Sequence, residues 1–406
     1  MRVKIEKSRA VGRVVPPASK SMAHRLLIAA ALAEGRTKVV DINPCEDVLA
    51  TVDCLSELGV SALIYGNIAE ICGGGVKSAM PKRALDCRES GSTLRFMLPL
   101  ALLSGNEATF IGAPRLMERP MSVYEDICRE RGLLFERSSE KITVRGPLRA
   151  GDYSLPGDIS SQFITGLLFA LSMLDGDSRI KITTKPESLS YIELTRSAMA
   201  EFGVEVIWED ERTLYIKGGQ KYLSPGDVFV ERDYSGAAFT DAFNLLGGDV
   251  KVEGLNDGSL QGDRVYKKHY EALLAGTPTI DVTDCPDLGP ILFTLAAALS
   301  GGIFVGTKRL KIKESDRGAA MAEELSKFGA HISVGENTVV VEAAPLHTPK
   351  ERLNSHSDHR IAMSLAVLSS VFGGEIDGAE AVAKSYPDFF EQIEKLGIKI
   401  TKYENN

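Results

Sequence analysis

Cations recur in this chain at places where a helix should begin. Ser19-Lys20-Ser21 with Arg25, Glu89-Ser90-Gly91-Ser92 with Arg95, Ser160-Ser161-Gln162, and Ser357-Asp358-His359-Arg360 each open a long apolar stretch. Serine is an ordinary N-cap, but a lysine or arginine in the first turn opposes the helix macrodipole by about 0.3–1 kcal/mol. A bound anion offsets that cost, because free backbone N–H groups and cationic side chains then converge on the same oxygens. A second series has the same character: Arg115-Leu116-Met117-Glu118-Arg119-Pro120, Lys313-Glu314-Ser315-Asp316-Arg317 and Lys384-Ser385-Tyr386-Pro387, with Pro120 and Pro387 reading as first helical positions. One such cation alone is a solvated surface charge. Lys20, Arg25, Arg95, Arg119, Lys313, Arg317, Arg360 and Lys384 at matched positions read as sites for small phosphorylated anions, each contact contributing about 1.5–3 kcal/mol.

Two carboxylates stand among these cations, Asp287 in Pro286-Asp287-Leu288 and Glu314 beside Lys313. Each in isolation reads as a cap or an ion-pair partner, but a reaction that removes a proton from a hydroxyl needs such a group. His359 reads equally as a third proton carrier or as a hydrogen-bonded core histidine. Gly73-Gly74-Gly75 is not a nucleotide loop, since no Gly-Lys-Ser/Thr follows it.

The elements that carry these residues repeat. Six apolar helical stretches close near Gly35, Gly105, Gly176, Gly247, Gly301 and Gly373, about 70 residues apart except for one short interval between Gly247 and Gly301. A second, amphipathic helix in each repeat closes at Gly59, Gly132, Gly203, Gly276, Gly329 and Gly397, with the same short interval after Gly276. Glycine suits a left-handed helix cap. Most of these helices run into a hairpin such as Val204–Trp208 with Thr213–Ile216, whereas the chain after Gly276 goes straight to the next repeat. The reading is α/β: six βαβαββ units, the fourth lacking its hairpin. The first helix of each unit is apolar almost all round and must be buried, with the sheets outside.

Composition bounds the rest. With 44% apolar and 25% charged residues the chain reads as an ordinary globular protein. Nothing reads as membrane-spanning, and charges break up the apolar residues of Met1–Lys7, so a cytoplasmic location is expected. Six scattered cysteines, with no Cys-x-x-Cys pair, point away from zinc and disulfides. A net charge of −8 makes nucleic acid an improbable partner.

On these residues, and on Ser160-Ser161-Gln162-Phe163, Gln261-Gly262-Asp263 and Ala383-Lys384-Ser385-Tyr386-Pro387-Asp388, the chain resembles the 5-enolpyruvylshikimate-3-phosphate synthases of the enolpyruvyl transferase family over nearly its whole length. The resemblance implies an inside-out α/β barrel of two domains, residues 18–231 and residues 1–17 with 232–406, each of three units, with the active site in the cleft between them. It implies transfer of the enolpyruvyl group of phosphoenolpyruvate to the 5-hydroxyl of shikimate 3-phosphate, with loss of phosphate and with no metal or organic cofactor. By the same resemblance Lys20, Gly91, Arg119, Gln162, Arg317, Arg360 and Lys384 hold phosphoenolpyruvate. Lys20, Ser21, Arg25, Ser160, Ser161, Gln162, Ser188, Asp287 and Lys313 hold shikimate 3-phosphate. Lys20, Asp287, Glu314 and His359 are the candidate catalytic groups, Asp287 as base, in a chain expected to act as a monomer. Glu89 and Ser92 depart from the family's asparagine and threonine, and Leu189-Ser190 replaces the familiar Lys-Pro after Ser188. The rival readings are a UDP-N-acetylglucosamine enolpyruvyl transferase, which usually carries a cysteine in the loop matching Pro114–Pro120, an RNA-terminal phosphate cyclase, and a non-catalytic anion-binding protein. The last needs the cations but not the acids.

Overall fold

The computed structural model describes residues 1–404. The third repeat shows how a unit is built. Strand Asp152–Leu155 leads through helix Ser161–Leu171 to strand Ser178–Ile182, then through helix Leu189–Glu201 to the hairpin of Val206–Asp210 and Thr213–Ile216. The first two strands pair in parallel, with Tyr153 opposite Ile180, as a helical crossover requires. Ser178–Ile182 pairs antiparallel with Thr213–Ile216, and Val206–Asp210 forms the outer edge. Along Ser178–Ile182 the residues alternate, Ile180 and Ile182 buried, Arg179 and Lys181 exposed, so one face of the sheet stays in water.

Among the described residues five sheets have four strands in this order, and one has only two, Val11–Val14 and Asp249–Val252. That pair belongs to the fourth repeat. Its second helix, Tyr266–Ala275, passes through Gly276 directly into Thr279–Asp281, the first strand of the next sheet. The missing hairpin read from the sequence is therefore missing in the fold. Two sheets borrow strands from distant parts of the chain. Asp227–Phe229 pairs with Gly35–Val40, and Arg2–Ile5 lies between Gly374–Asp377 and Ile400–Tyr403.

The chain separates into two compact bodies, Ala18–Glu231, and Met1–Pro17 with the chain from Arg232 onward. In the first body, helix Lys20–Leu32 is buried from Ala23 to Leu32 and packs on Glu46–Glu57 and Leu189–Glu201. Helix Gly91–Ala101 packs on Ser161–Leu171 at a crossing that only glycine permits. A β-carbon on Gly166 would lie 2.3 Å from the Arg95 carbonyl oxygen and 2.4 Å from the Tyr124 hydroxyl. In the second body, Gly289–Ala298 and His359–Phe372 pack together and are buried almost throughout.

The second helices end as their glycines suggest: Gly203 has φ of 79°, its N–H bonds to Ala200 O, and the next N–H reaches back to Met199 O. Among the first helices the rule fails at Gly35, Gly105 and Gly176. There the helices stop at Leu32, Ala101 and Leu171; Gly35 opens the next strand, and Gly105 and Gly176 lie outside the left-handed region. Pro120 and Pro387 also sit outside the helices, two residues before Ser122–Arg131 and Phe389–Lys395 begin. Each follows a short helical turn, which is where a residue lacking an N–H ends one element before the next starts.

Candidate active site

In the Ala18–Glu231 body the serines cap as their type predicts. Ser19, Ser90 and Ser160 accept from the backbone N–H groups of Met22, Thr93 and Gln162. Lys20 is the first residue of its helix, and its ammonium donates to Asp47 Oδ2 at 2.8 Å. That partner was not visible in the sequence, because Asp47 sits in the first turn of helix Glu46–Glu57 and reads there as an ordinary first-turn acid. Ser21 offers its carbonyl to Arg25, whose guanidinium also donates to Thr195 Oγ1 at 2.9 Å and Tyr191 O at 3.0 Å. Burial lowers the Arg25 pKa to about 10, which leaves it charged. Neighbouring His24 is driven well below its usual value by burial and by Lys20 and Arg25, so it is a neutral ring held by Thr51 at 2.8 Å.

Arg95, Gln162 and Ser92 form one chain. Arg95 donates to Gln162 Oε1 at 2.7 Å, and Gln162 Nε2 donates to Ser92 Oγ at 2.9 Å. This ties the start of helix Gly91–Ala101 to that of Ser161–Leu171. Arg119 lies against the first of these starts: a β-carbon on Gly91 would come within 2.6 Å of its Nη1. Arg119 is 7% exposed, and its Nε is without a hydrogen-bond partner among the described residues. A buried guanidinium beside a helix N-terminus is suited to an anion in both charge and geometry. Ser161 lies in the first turn after Ser160. Ser188 precedes helix Leu189–Glu201 in a left-handed conformation, is almost completely buried, and makes no side-chain cap bond. Glu89, just before Ser90, is partly buried.

In the other body Arg317 is the hub. It is fully buried and surrounded by carboxylates: Nε donates to Asp358 Oδ2 at 2.8 Å, Nη1 to Asp287 Oδ1 at 2.7 Å, and Nη2 to Glu314 Oε2 at 2.8 Å. Burial alone would lower its pKa, but Asp358, Glu314 and Asp287 together hold it well above the usual value. Asp287 also accepts from Lys313 Nζ at 3.3 Å and stands 3.6 Å from Arg360 Nη2. Burial pushes the Asp287 carboxyl up, yet Lys313, Arg317 and Arg360 outweigh it and hold the group well below the carboxylate range. Burial lowers the Lys313 pKa, with Asp287 opposing.

Asp358 caps helix His359–Phe372 through the Arg360 N–H at 2.9 Å and also accepts from Ser315 Oγ. The motif containing it was legible, but not its ion pair with Arg317. His359 is 1% exposed, with Nδ1 3.9 Å from Asp358 Oδ1, so the structure places it in the packed interior beside the cap. Lys384 ends the turn Ala379–Lys384, and its ammonium donates to the Ser357 carbonyl. Asp263 is a further buried acid that sequence reasoning noted only as part of a motif. It accepts from Ser235 Oγ, and burial, with Asp287 adding, raises it to about 7.

The family model for EPSP synthase (3-phosphoshikimate 1-carboxyvinyltransferase) matches residues 5–393. A 3-phosphoshikimate 1-carboxyvinyltransferase of Clostridium kluyveri is 39% identical over 422 aligned positions, covering 99% of this chain and 98% of its own. One from Clostridium botulinum (strain Eklund 17B / Type B) is 40% identical, covering 97% of each. The fold matches an EPSP synthase from Acinetobacter baumannii with a TM-score of 0.78 at 23% identity over the full length of both chains. It also matches the enolpyruvyl transferase NikO from Streptomyces tendae, TM-score 0.77 at 15% identity over 98% of each chain.

Proposed function

Because this chain belongs to the EPSP synthase (3-phosphoshikimate 1-carboxyvinyltransferase) family, we propose that it joins the 5-hydroxyl oxygen of shikimate 3-phosphate to C2 of phosphoenolpyruvate and then expels inorganic phosphate. The observation that carries the reading is the carboxylate–cation cluster of Asp287, Glu314, Lys313, Arg317 and Arg360, with Arg119, which closes the turn Pro114–Glu118, packed against Gly91 at the start of its helix. A passive anion trap has no use for buried acids that cancel its cations. An enzyme that must take a proton from a hydroxyl does.

Asp287 is the proposed base. At rest, three cations hold its pKa so low that it is a weak one. When two substrates, each bearing a carboxylate and a phosphate, draw Lys313 and Arg360 to their own oxygens, the field on Asp287 falls and its basicity rises. The proton then moves from the 5-hydroxyl to Asp287 as the C–O bond forms. The methylene carbon of phosphoenolpyruvate takes a proton from Lys20 or Glu314, which gives a tetrahedral intermediate. The methyl proton then returns to the group that supplied it and phosphate leaves with the proton held by Asp287, which restores the double bond, with Lys20, Arg119, Arg360 and Lys384 stabilising the charge that leaves. Arg317 joins phosphoenolpyruvate only if one of its carboxylates turns aside. Asp287 and Glu314, whose side chains are 20% and 17% exposed, have room to do so, whereas Asp358 is fully buried.

No described helix is long and apolar enough to cross a membrane. We propose, in keeping with the net charge of −8, that the chain works without nucleic acid, as a monomer in the cytoplasm. The test is phosphate release from purified protein mixed with phosphoenolpyruvate and shikimate 3-phosphate. Steady release dependent on both substrates is expected. Release only with UDP-N-acetylglucosamine as acceptor would instead mark the sister transferase, and binding without turnover would mark a non-catalytic protein.

A further inference from the structure

The turn leading into Arg360 is held in an unusual conformation. His356 and Ser357, consecutive and both with side chains, have φ of 50° and 53°. Residues bearing a β-carbon avoid this left-handed region, so contacts from outside the turn must hold it. Those contacts converge on Glu324 in helix Arg317–Ser326. Its carboxylate is fully buried, accepts from Asn354 N at 2.8 Å and from His356 Nε2 at 2.9 Å, and has the Lys327 ammonium at 2.8 and 2.9 Å from its two oxygens. Within the turn, His356 N donates to Asn354 Oδ1 at 2.7 Å and Ser357 N to Ser355 Oγ at 3.2 Å. Immediately beyond it, Asp358 receives the Arg360 N–H and the Arg317 guanidinium, and Lys384 donates to the Ser357 carbonyl.

We propose that Glu324 and His356 are positioning residues for phosphoenolpyruvate binding: together they latch the 354–357 turn, which sets Asp358, Arg360 and the carbonyl that anchors Lys384. Among the described residues neither is hydrogen-bonded to a residue assigned to shikimate 3-phosphate. The inference rests on the assignment of Arg360 and Lys384 to phosphoenolpyruvate. Glu323, Glu324 and His356 also stand close enough together to ligate a metal ion. The Lys327 ammonium already occupies both Glu324 oxygens and supplies the positive charge, which favours the latch.

The charged groups facing His356 are Glu323, Glu324 and Lys327. The bond to Glu324 raises the His356 pKa above its ordinary value, burial opposing, while burial pushes Glu324 up and its bonds to His356, Lys327 and Asn354 bring it down. The charge-assisted form of the latch is therefore fully present below about pH 6.5 and is lost as pH rises through the raised His356 value.

The test compares wild type, His356→Ala, His356→Gln and Glu324→Gln in the full-length protein. For His356→Ala and Glu324→Gln at pH 6.5, the KM for phosphoenolpyruvate should rise about tenfold, with the KM for shikimate 3-phosphate unchanged. Amide exchange of the 354–360 segment should accelerate. His356→Gln keeps a donor without a titration, so it should return the KM to within about twofold of wild type and abolish the rise in KM that wild type shows toward alkaline pH. An unchanged KM and unchanged exchange in His356→Ala would overturn the inference. So would a rise in both KM values together with loss of folded protein, since that marks a purely structural role. A wild type that turns over neither substrate would instead remove the functional reading on which the latch depends.

Discussion

Lys20 and Asp47 stand 27 positions apart in sequence and 2.8 Å apart in the fold, and that contrast describes what residue-level reading can find. Lys20, Arg317 and Arg360 were legible because each puts a positive charge in the first turn of a helix, where the dipole opposes it, whereas Arg119, Lys313 and Lys384, expected at helix starts, close short helical turns instead. The partners were not legible, because no spacing rule links Lys20 to Asp47, or Arg317 to Asp287 and Asp358 at separations of 30 and 41. The missing half matters for mechanism. Asp47 keeps the Lys20 ammonium in one place, so Asp47→Asn should lower kcat/KM about tenfold or more by loosening that ammonium. Lys20→Met should lower kcat by at least about a hundredfold. Both variants should melt within a few degrees of wild type, since Lys20 is not in the apolar core. Turnover unchanged in Lys20→Met would remove that residue from the mechanism.

At the scale of elements the repeat was legible because glycine marks the ends of the second helices with a conformation that other residues avoid, as at Gly203. It was less informative for the first helices. Gly105 and Gly176 share the period but not the left-handed geometry, so there the period marks no helix cap. Gly166 was not singled out at all, since a helix-interior glycine shows its purpose only when its neighbour is known. A methyl group at this position meets the Arg95 carbonyl and the Tyr124 hydroxyl at 2.3 and 2.4 Å. Gly166→Ala should therefore destabilise the Ala18–Glu231 body by about 2 kcal/mol or more through overpacking, despite the higher helix propensity of alanine. A calorimetric melt that is unchanged or shifted upward would show that the two helices can separate without penalty.

At the scale of the whole molecule, the order in which the chain visits its sheets departs from the order of the repeats. Arg2–Ile5 is an interior strand, bonded on one side to Gly374–Asp377 and on the other to Ile400–Tyr403. Val3 and Ile5 are buried in the core of that body. Deleting residues 1–5 should therefore abolish its folding while leaving the Ala18–Glu231 body able to melt cooperatively, which differential scanning calorimetry of the shortened chain would resolve as a lost transition. The same threading bears on synthesis. The strand Arg2–Ile5 is made about 370 residues before its neighbours, roughly 20–70 s at ordinary translation rates. Throughout that delay a β-strand with two open edges is exposed to every other nascent chain. The charges that alternate with its apolar residues, Arg2, Lys4, Glu6 and Lys7 around Val3 and Ile5, act as gatekeepers against aggregation while it waits.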